Sequence, residues 1–451
     1  MENNVLKRQY GIFISFCFVV GFIVGTGIFF LPGRILYEAG GSIWLGVSAW
    51  IIGGLMIAPC VYMFSKFAGH YEKVHGFVDY AEVIVGRKYG YLAGWFFAIM
   101  YQPAGYAIIA WITSGFILSL IEMDRFLVAS FIMAITYFIN YFAPKIPIKF
   151  NVISTVLRLI PLIVMGIVGL IVTLFGLNNN VAHSNPISGL ETNLFAAISA
   201  TAFAFNGWQA ALAFNSEIKD SKKKFPMALM LGYTAVAIVY ILYFIGIATI
   251  GDSTELANEG GANFAHATHS AFQNIFGEGA SNILVVFMII SGLGILNACC
   301  LGMGRAMYSL GRRNLGPSPR RMAKLDDVTQ LPNNSMTLAF GISFLWLLVI
   351  FANIYWLPFN FSLPDFYNFS FFGLIIPIFI FYMIKQSISC KIKSPKAQTK
   401  KFIAPVLAIL GAGFMFSSYW LGNLTSTLVY VILFIILASI GFIFYRKEEL
   451  N

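Results

Sequence analysis

Twelve apolar stretches of about 20 residues or more recur along this chain, near 10–37, 42–67, 86–121, 124–143, 147–177, 191–217, 226–251, 280–311, 333–353, 363–387, 402–422 and 424–445. Nothing else in the sequence limits the fold as strongly. In hydrocarbon each backbone N–H and C=O must be satisfied without water, so only helices and closed barrels cross a bilayer. The stretches are long enough for spanning helices. A barrel would show alternating strands of about 10 residues, a pattern absent here. Only 11% of the 451 residues are charged, where soluble domains carry about 25%. The expected fold class is an all-α integral membrane protein with 12 transmembrane helices. The opening MENNVLKRQYG is basic, but no small-residue cleavage site follows its apolar run, so it reads as a retained first span.

Orientation comes from charge. With the N-terminus placed in the cytoplasm, 26 of the 29 Lys and Arg residues fall on the inner side. Arg34 and Arg125 fall outside, and Arg158 lies within span 5. The positive-inside rule then puts both termini in the cytoplasm. The net charge of +10 reflects this topology rather than nucleic-acid binding. A multi-pass protein of the cell (inner) membrane, in contact with lipid, is expected.

The loops hold no separate domain. Residues 68–85, AGHYEKVHGFVDYAEVIV, are too polar to span and read as a short amphipathic helix at the inner surface. The outer loop 252–279 is long enough for a lid, and 312–334 reads as a basic, proline-containing linker. Cys17, Cys60, Cys299, Cys300 and Cys390 have no disulfide or metal spacing. The histidines (His70, His75, His183, His266, His269) all fall in predicted loops. No metal and no cofactor is expected. A membrane-embedded enzyme would need a nucleophile and base, or metal ligands, at membrane depth. None is evident, so a non-enzyme is expected.

Two spans are interrupted at mid-depth. Span 1 carries Val24-Gly25-Thr26-Gly27-Ile28-Phe29, and span 6 carries Phe203-Ala204-Phe205-Asn206-Gly207-Trp208. Glycine in a helix interior weakens it. Unwound backbone at membrane depth is tolerated where it lines a cavity or is buried in protein. Glycines also serve close helix packing in membranes, but these two interruptions lie five spans apart. That odd offset places them at equivalent positions of two inverted units, the best sequence pointer to a transporter binding site.

Each break exposes helix ends. The half-helix starting near Thr26, Gly27 and Ile28 would turn free N–H groups and a partial positive charge toward an anion such as a carboxylate. Around Phe203, Ala204 and Asn206, free carbonyls would suit an ammonium group. One α-amino acid carries both. Phe203 is large enough to act as a gate over such a molecule; its alternative reading, like that of Trp208, is a core aromatic. Glu217, before the run Lys219 to Lys224, is either part of an inner charge network or a solvated helix end.

Arg158 lies about 16 Å into its span at ~1.5 Å per residue. A cation at such depth is functional by default, although arginine also snorkels. Pointed at the centre, it would be a permanent positive charge that disfavours a sodium ion and cannot shuttle a proton.

The segment GTGIF in span 1 resembles the signature of the amino acid–polyamine–organocation (APC) superfamily. AFNGWQAALAFNSEIKDSKKKFPMAL resembles its span 6 and the loop that follows. Tyr101-Gln102-Pro103-Ala104, Leu159-Ile160-Pro161, Gly304-Arg305 and Asn368-Phe369-Ser370-Phe371-Phe372 point to the L-type amino acid transporter branch and its bacterial relatives. The resemblance covers essentially the whole chain. It implies a LeuT-like 5+5 inverted repeat with broken helices 1 and 6. Residues 10–177 and 191–387 would form the two five-helix units, and 402–445 two peripheral helices. It also implies α-amino acid transport by alternating access. Gly25, Thr26, Gly27 and Ile28 would hold the carboxylate, and Phe203, Ala204 and Asn206 the amine, with Phe203 as gate. Arg158 stands where many relatives have a lysine that replaces a sodium site, so sodium independence is expected.

The pattern has departures. The usual paired glutamates read Ser216-Glu217, and the following Asn-Pro reads Asp220-Ser221. Asn206 replaces a glycine of large-substrate members and favours a smaller or polar substrate side chain. Next to Phe372, an asparagine-tryptophan pair of some members reads Gly373-Leu374, which reopens space in the pocket. Exchange of neutral amino acids is the leading expectation, because no acidic residue lies at mid-depth near either break. Proton-coupled symport is the alternative. Animal relatives pair with a glycoprotein through an outer-loop cysteine; the loop near Ile121 to Arg125 has none, so no obligate protein partner is expected.

Overall fold

The computed structural model describes residues 11–71, 76–143, 145–176, 191–212, 218–251, 277–326, 331–356, 361–389 and 395–445, and residues 186, 215, 273 and 329 singly. The fold is an all-α membrane bundle. Span 1 is a bent pair, Ile12–Ile23 and Gly27–Glu38, turned by 48° at the break. Span 2 is Ile43–His70, span 4 Arg125–Phe142 and span 5 Lys145–Phe175. Span 3 runs from Arg87 to Leu118 through a π-helical turn at Phe97–Tyr101. Span 6 is Leu194–Phe205 followed by Trp208–Ala211. Spans 7 to 10 are Ser221–Ile250, Glu278–Arg312, Asn333–Tyr355 and Leu363–Ser389. Spans 11 and 12 are Pro395–Gly422 and Leu424–Ile443.

Among the described residues, ten helices are long and apolar enough to cross a membrane, and the bent pair makes an eleventh. Span 6 is not among them. Its helical pieces of 12 and 4 residues are each shorter than a bilayer crossing. Lipid tails are as apolar as a leucine-rich interior, so close approach rather than hydrophobicity decides which helix faces meet. Spans 5 and 7 show this at Gly169 and Gly246, where a Cβ on Gly169 would overlap the Gly246 backbone.

The polar segment between spans 2 and 3 contains a short helix, Phe77–Ile84, whose Phe77, Val78, Tyr80, Ala81 and Ile84 are buried. It packs against the bundle: Phe77 stacks on Phe97 with centroids 4.7 Å apart. The stretch after span 8 is not a free linker in its described part. Leu315 and Met322 are buried against Tyr91, Trp95 and Leu310, because a turn of helix at Pro319–Met322 folds it back. The proposed lid at 252–279 lies almost wholly outside the described residues, as do Ser216, Glu217, His75, His183, His266, His269 and Cys390.

Candidate functional site

The break in span 1 is set by Val24, Gly25 and Thr26. Val24 leaves the helix at ψ 99°, and the second half-helix starts at Gly27 with Thr26 as its cap residue. The Phe29 N–H returns to the Thr26 carbonyl at 3.0 Å. Gly27 and Ile28, in the first turn, have no intrahelical acceptor for their N–H groups. Thr26 is 1% exposed and Ile28 0%, while Gly25 is half-buried.

In span 6 the helix ends at Phe205. Asn206 is extended, with ψ 169°, and Gly207 turns the chain at φ 106°, ψ −27°. The last carbonyls of Leu194–Phe205 therefore lose their intrahelical donors. A side chain is excluded at Gly207 twice over. Its φ is in the region L-residues avoid, and a Cβ would overlap the Phe22 carbonyl oxygen.

The two breaks meet. Phe22, at the end of the first half of span 1, touches Gly207, at the start of the second half of span 6. Gly27, at the start of the other half of span 1, faces the end of the first half of span 6: a Cβ there would lie 3.1 Å from Phe203 Cδ1 and 3.3 Å from Ala204 Cα. The far ends of these halves also touch, through an Asn193 N–H to the Glu38 carbonyl at 2.7 Å. First half on second half, and second on first, means the interrupted helices pass each other in opposite directions. An N–H end and a C=O end thereby face one point.

Arg158 closes the other side of the span 1 break. It is fully buried. Its Nη1 donates to the Val24 carbonyl at 2.6 Å and the Gly21 carbonyl at 3.1 Å. Nε donates to Ser154 O at 3.1 Å, and Nη2 to Ser154 Oγ at 3.0 Å and Thr155 Oγ1 at 3.2 Å. The Tyr240 hydroxyl donates to the Ile23 carbonyl at 3.1 Å. Carbonyls that a helix end leaves over thus receive a guanidinium and a phenol. A fixed positive charge also complements the negative end of the half-helix dipole.

Phe203 lies over the meeting point, half-buried, with its ring 5.8 Å from Phe30 and 6.2 Å from Tyr367. Tyr367 stacks on Tyr101 at 4.1 Å, and the π-helical turn delivers Tyr101 to that position. Below, Trp208 packs edge-on against Phe371 at 5.8 Å and beside Phe64 at 5.3 Å. A polar chain crosses the same level. Asn206 Nδ2 donates to Asn368 Oδ1, Gln209 Nε2 to Asn206 Oδ1 at 3.3 Å, and the Gly207 N–H to Gln209 Oε1 at 3.0 Å.

Ion pairs mark both ends of the bundle. Opposite the basic loops, Arg34 of span 1 holds Asp365 of span 10 by two bonds of 3.1 and 2.7 Å. At the basic end, Arg313 pairs with Asp79 and, at 3.2 Å, with Glu82 of the short helix Phe77–Ile84. Among the described residues, no group of three or more His, Cys, Asp or Glu could hold a metal ion.

The structure brings Thr26, Gly27, Phe203, Ala204, Asn206 and Arg158 around the two breaks. Gly25 faces span 8, where a Cβ would meet Ile295 at 3.1 Å. Gly373 points elsewhere: a Cβ there would meet Phe416 of span 11 at 3.3 Å, so the space its lack of a side chain leaves is between spans 10 and 11. Phe372 is buried beside Phe371, and it is Phe371 that contacts Trp208 at the break. Sequence reading gave no role to Asn368, Gln209, Tyr240, Tyr101 or Tyr367. Asn368 carried a usable signal, a polar side chain in mid-span. The tyrosines carried none, since an aromatic at helical spacing is ordinary core.

The sequence pattern of the amino acid permease family matches residues 10–449. Among similar proteins is the serine/threonine exchanger SteT of Bacillus subtilis (strain 168), 24% identical over 420 residues that cover 92% of each chain. The b(0,+)-type amino acid transporter 1 of Mus musculus is 24% identical over 463 residues, 99% of this chain and 88% of that one. The Large neutral amino acids transporter small subunit 2 of Mus musculus is 25% identical over 389 residues, 82% and 69% of the two chains. The last name describes a subunit, so independence from a protein partner is not general among the relatives. With the family pattern running along almost its entire length, this chain belongs to the amino acid permease family.

Proposed function

We propose that the chain is a secondary transporter that exchanges neutral α-amino acids across the cell membrane by alternating access. One observation carries this reading: the N–H end at Gly27 and the C=O end at Ala204 lie against each other, in helices of opposite direction. A zwitterion supplies an acceptor to the first and a donor to the second. Thr26, Gly27 and Ile28, with Gly25 as the flexible residue, take the carboxylate. The Phe203, Ala204 and Asn206 carbonyls take the ammonium group. Phe203 is the gate.

A neutral side chain follows from charge. Among the described residues the deeply buried charges are Arg158, engaged with the break, and Asp365, held by Arg34. No carboxylate is left there for a cationic side chain. Arg158 occupies the carbonyls a sodium ion would need, which supports sodium independence. Twelve spans, two inverted units at 10–177 and 191–387, peripheral helices in 402–445 and cytoplasmic termini complete the proposed topology. Relatives named as exchangers and transporters support amino acid exchange. We further propose that the chain works without a protein partner.

The test is counterflow in proteoliposomes containing the purified chain alone, with a panel of labelled amino acids. Internal unlabelled substrate should stimulate uptake of small neutral amino acids equally with and without sodium or a pH gradient. Uptake of none of the panel would sink the reading; uptake driven by a proton gradient without internal substrate would favour symport. Activity only after adding a second protein would overturn partner independence.

Phe203→Ala gives a local check. Its two ring contacts are worth about 0.5–1.5 kcal/mol each, so exchange should slow by roughly tenfold. Unchanged exchange kinetics would remove Phe203 from the gate.

A further inference from the structure

A cavity of about 400 Å³ lies at the end of the bundle opposite the basic loops, with Arg34, Glu38, Ser199, Asp365, Tyr419 and Thr427 in its wall. Neither Gly27 nor Phe203 lines it, and spans 11 and 12, which take no part in the breaks, supply one side. It is therefore a different space from the meeting point of spans 1 and 6.

Its charge is unbalanced. Arg34 and Asp365 neutralise each other through two hydrogen bonds. The Glu38 carboxylate, in contrast, has no hydrogen bond or contact ion pair among the described residues and feels Arg34 only at longer range. Its position is nonetheless fixed, because the Asn193 N–H holds the Glu38 backbone carbonyl.

Three hydroxyls of the wall are turned the same way. Ser199 Oγ donates to Ala196 O at 2.9 Å, and the Tyr419 hydroxyl donates to Ser199 O at 3.2 Å. Thr427 Oγ1 donates to the Tyr419 carbonyl at 2.8 Å. These hydroxyl protons are spent on backbone, so the oxygens have only lone pairs left to offer. An anion would meet a wall whose three charged groups, Arg34, Asp365 and Glu38, sum to one negative charge. A quaternary ammonium would match the charge but bring no N–H. A primary ammonium brings a positive charge and three donors together.

We propose that this cavity is a binding site for a small primary ammonium compound, anchored on Glu38 and separate from the two breaks. The proposal does not depend on the transport reading, because binding is measured directly.

The experiment is calorimetric titration of the purified full-length protein with ethanolamine, and with choline, its trimethylated counterpart. Ethanolamine should bind saturably, and choline at least about tenfold more weakly, since it lacks the donors to a charged partner. Glu38→Gln should lose at least about tenfold in ethanolamine affinity while amino acid counterflow stays within about twofold, a difference inside the range of an unimportant surface change. Absence of saturable ethanolamine binding, or equal binding of choline, overturns the proposal on the unmodified protein alone. Undiminished ethanolamine binding by Glu38→Gln overturns the anchor. If counterflow fails altogether but ethanolamine still binds, the transport reading falls and this site stands.

Discussion

Gly207→Ala should cut exchange by at least about tenfold, and a β-branched residue there should abolish it. Two costs combine. A residue with a Cβ at positive φ pays roughly 1–2 kcal/mol, and Gly207 sits at φ 106°. The added Cβ also overlaps the Phe22 carbonyl oxygen, which is backbone and cannot rotate aside. Relief requires moving span 1 away from span 6, and overpacking of this kind costs about 1–3 kcal/mol. The sum exceeds the ~1.4 kcal/mol of one decade. Counterflow, normalised to protein in the membrane, is the measurement. Gly341→Ala in span 9 is the control, because nothing lies within 4 Å of its Cβ position. It should leave exchange unchanged. Equal rates for Gly207→Ala and the unmodified chain would show that the closeness of the breaks does not matter to transport.

The second large effect is expected at Arg158. Arg158→Leu leaves the Gly21 and Val24 carbonyls without the donors they have now. Each buried acceptor left unmet costs about 1–3 kcal/mol, enough to lower thermal stability in detergent and to reduce exchange by more than about tenfold. Arg158→Lys separates charge from geometry. An ammonium keeps the charge but cannot bridge both carbonyls and Ser154 with a rigid fork, so an intermediate rate is expected. In the unmodified protein, exchanging sodium for potassium should change nothing. Sodium stimulation of the unmodified protein would overturn the assignment of Arg158 as the cation at this break. Full activity of Arg158→Leu would show that the carbonyls find other partners.

The helices and both interruptions were legible because they are local. Apolar length specifies a span, and glycine beside polar residues specifies a break. The predicted span limits differ from the observed helices by a few residues in most cases, as at 363–387 against Leu363–Ser389. Which side chains face the breaks was less legible. Gly373 read as pocket space, yet it faces Phe416 of span 11. A shift of one residue rotates a helix position by about 100°, so Phe371 reaches Trp208 where Phe372 had been expected in the pocket. The role of Tyr240 depends on a contact between residues 23 and 240, and no periodicity encodes it. The short helix between spans 2 and 3 was foreseen, but not its burial against Phe97, since its aromatic partners come from distant spans.

The opposed helix ends at the two breaks have a kinetic consequence. Donors at Gly27 and Ile28 and acceptors at Ala204 are buried. On the proposed binding mode, a carrier that isomerises with cargo aboard keeps them all matched, because the cargo splices one broken helix to the other. A carrier that isomerises empty must dry them unmatched, at about 1–3 kcal/mol for each group. Three such groups would slow the empty return by more than a hundredfold relative to the loaded one, at ~1.4 kcal/mol per decade. Obligate one-for-one turnover would then need no dedicated lock: the unspliced backbone is itself the penalty on returning with nothing.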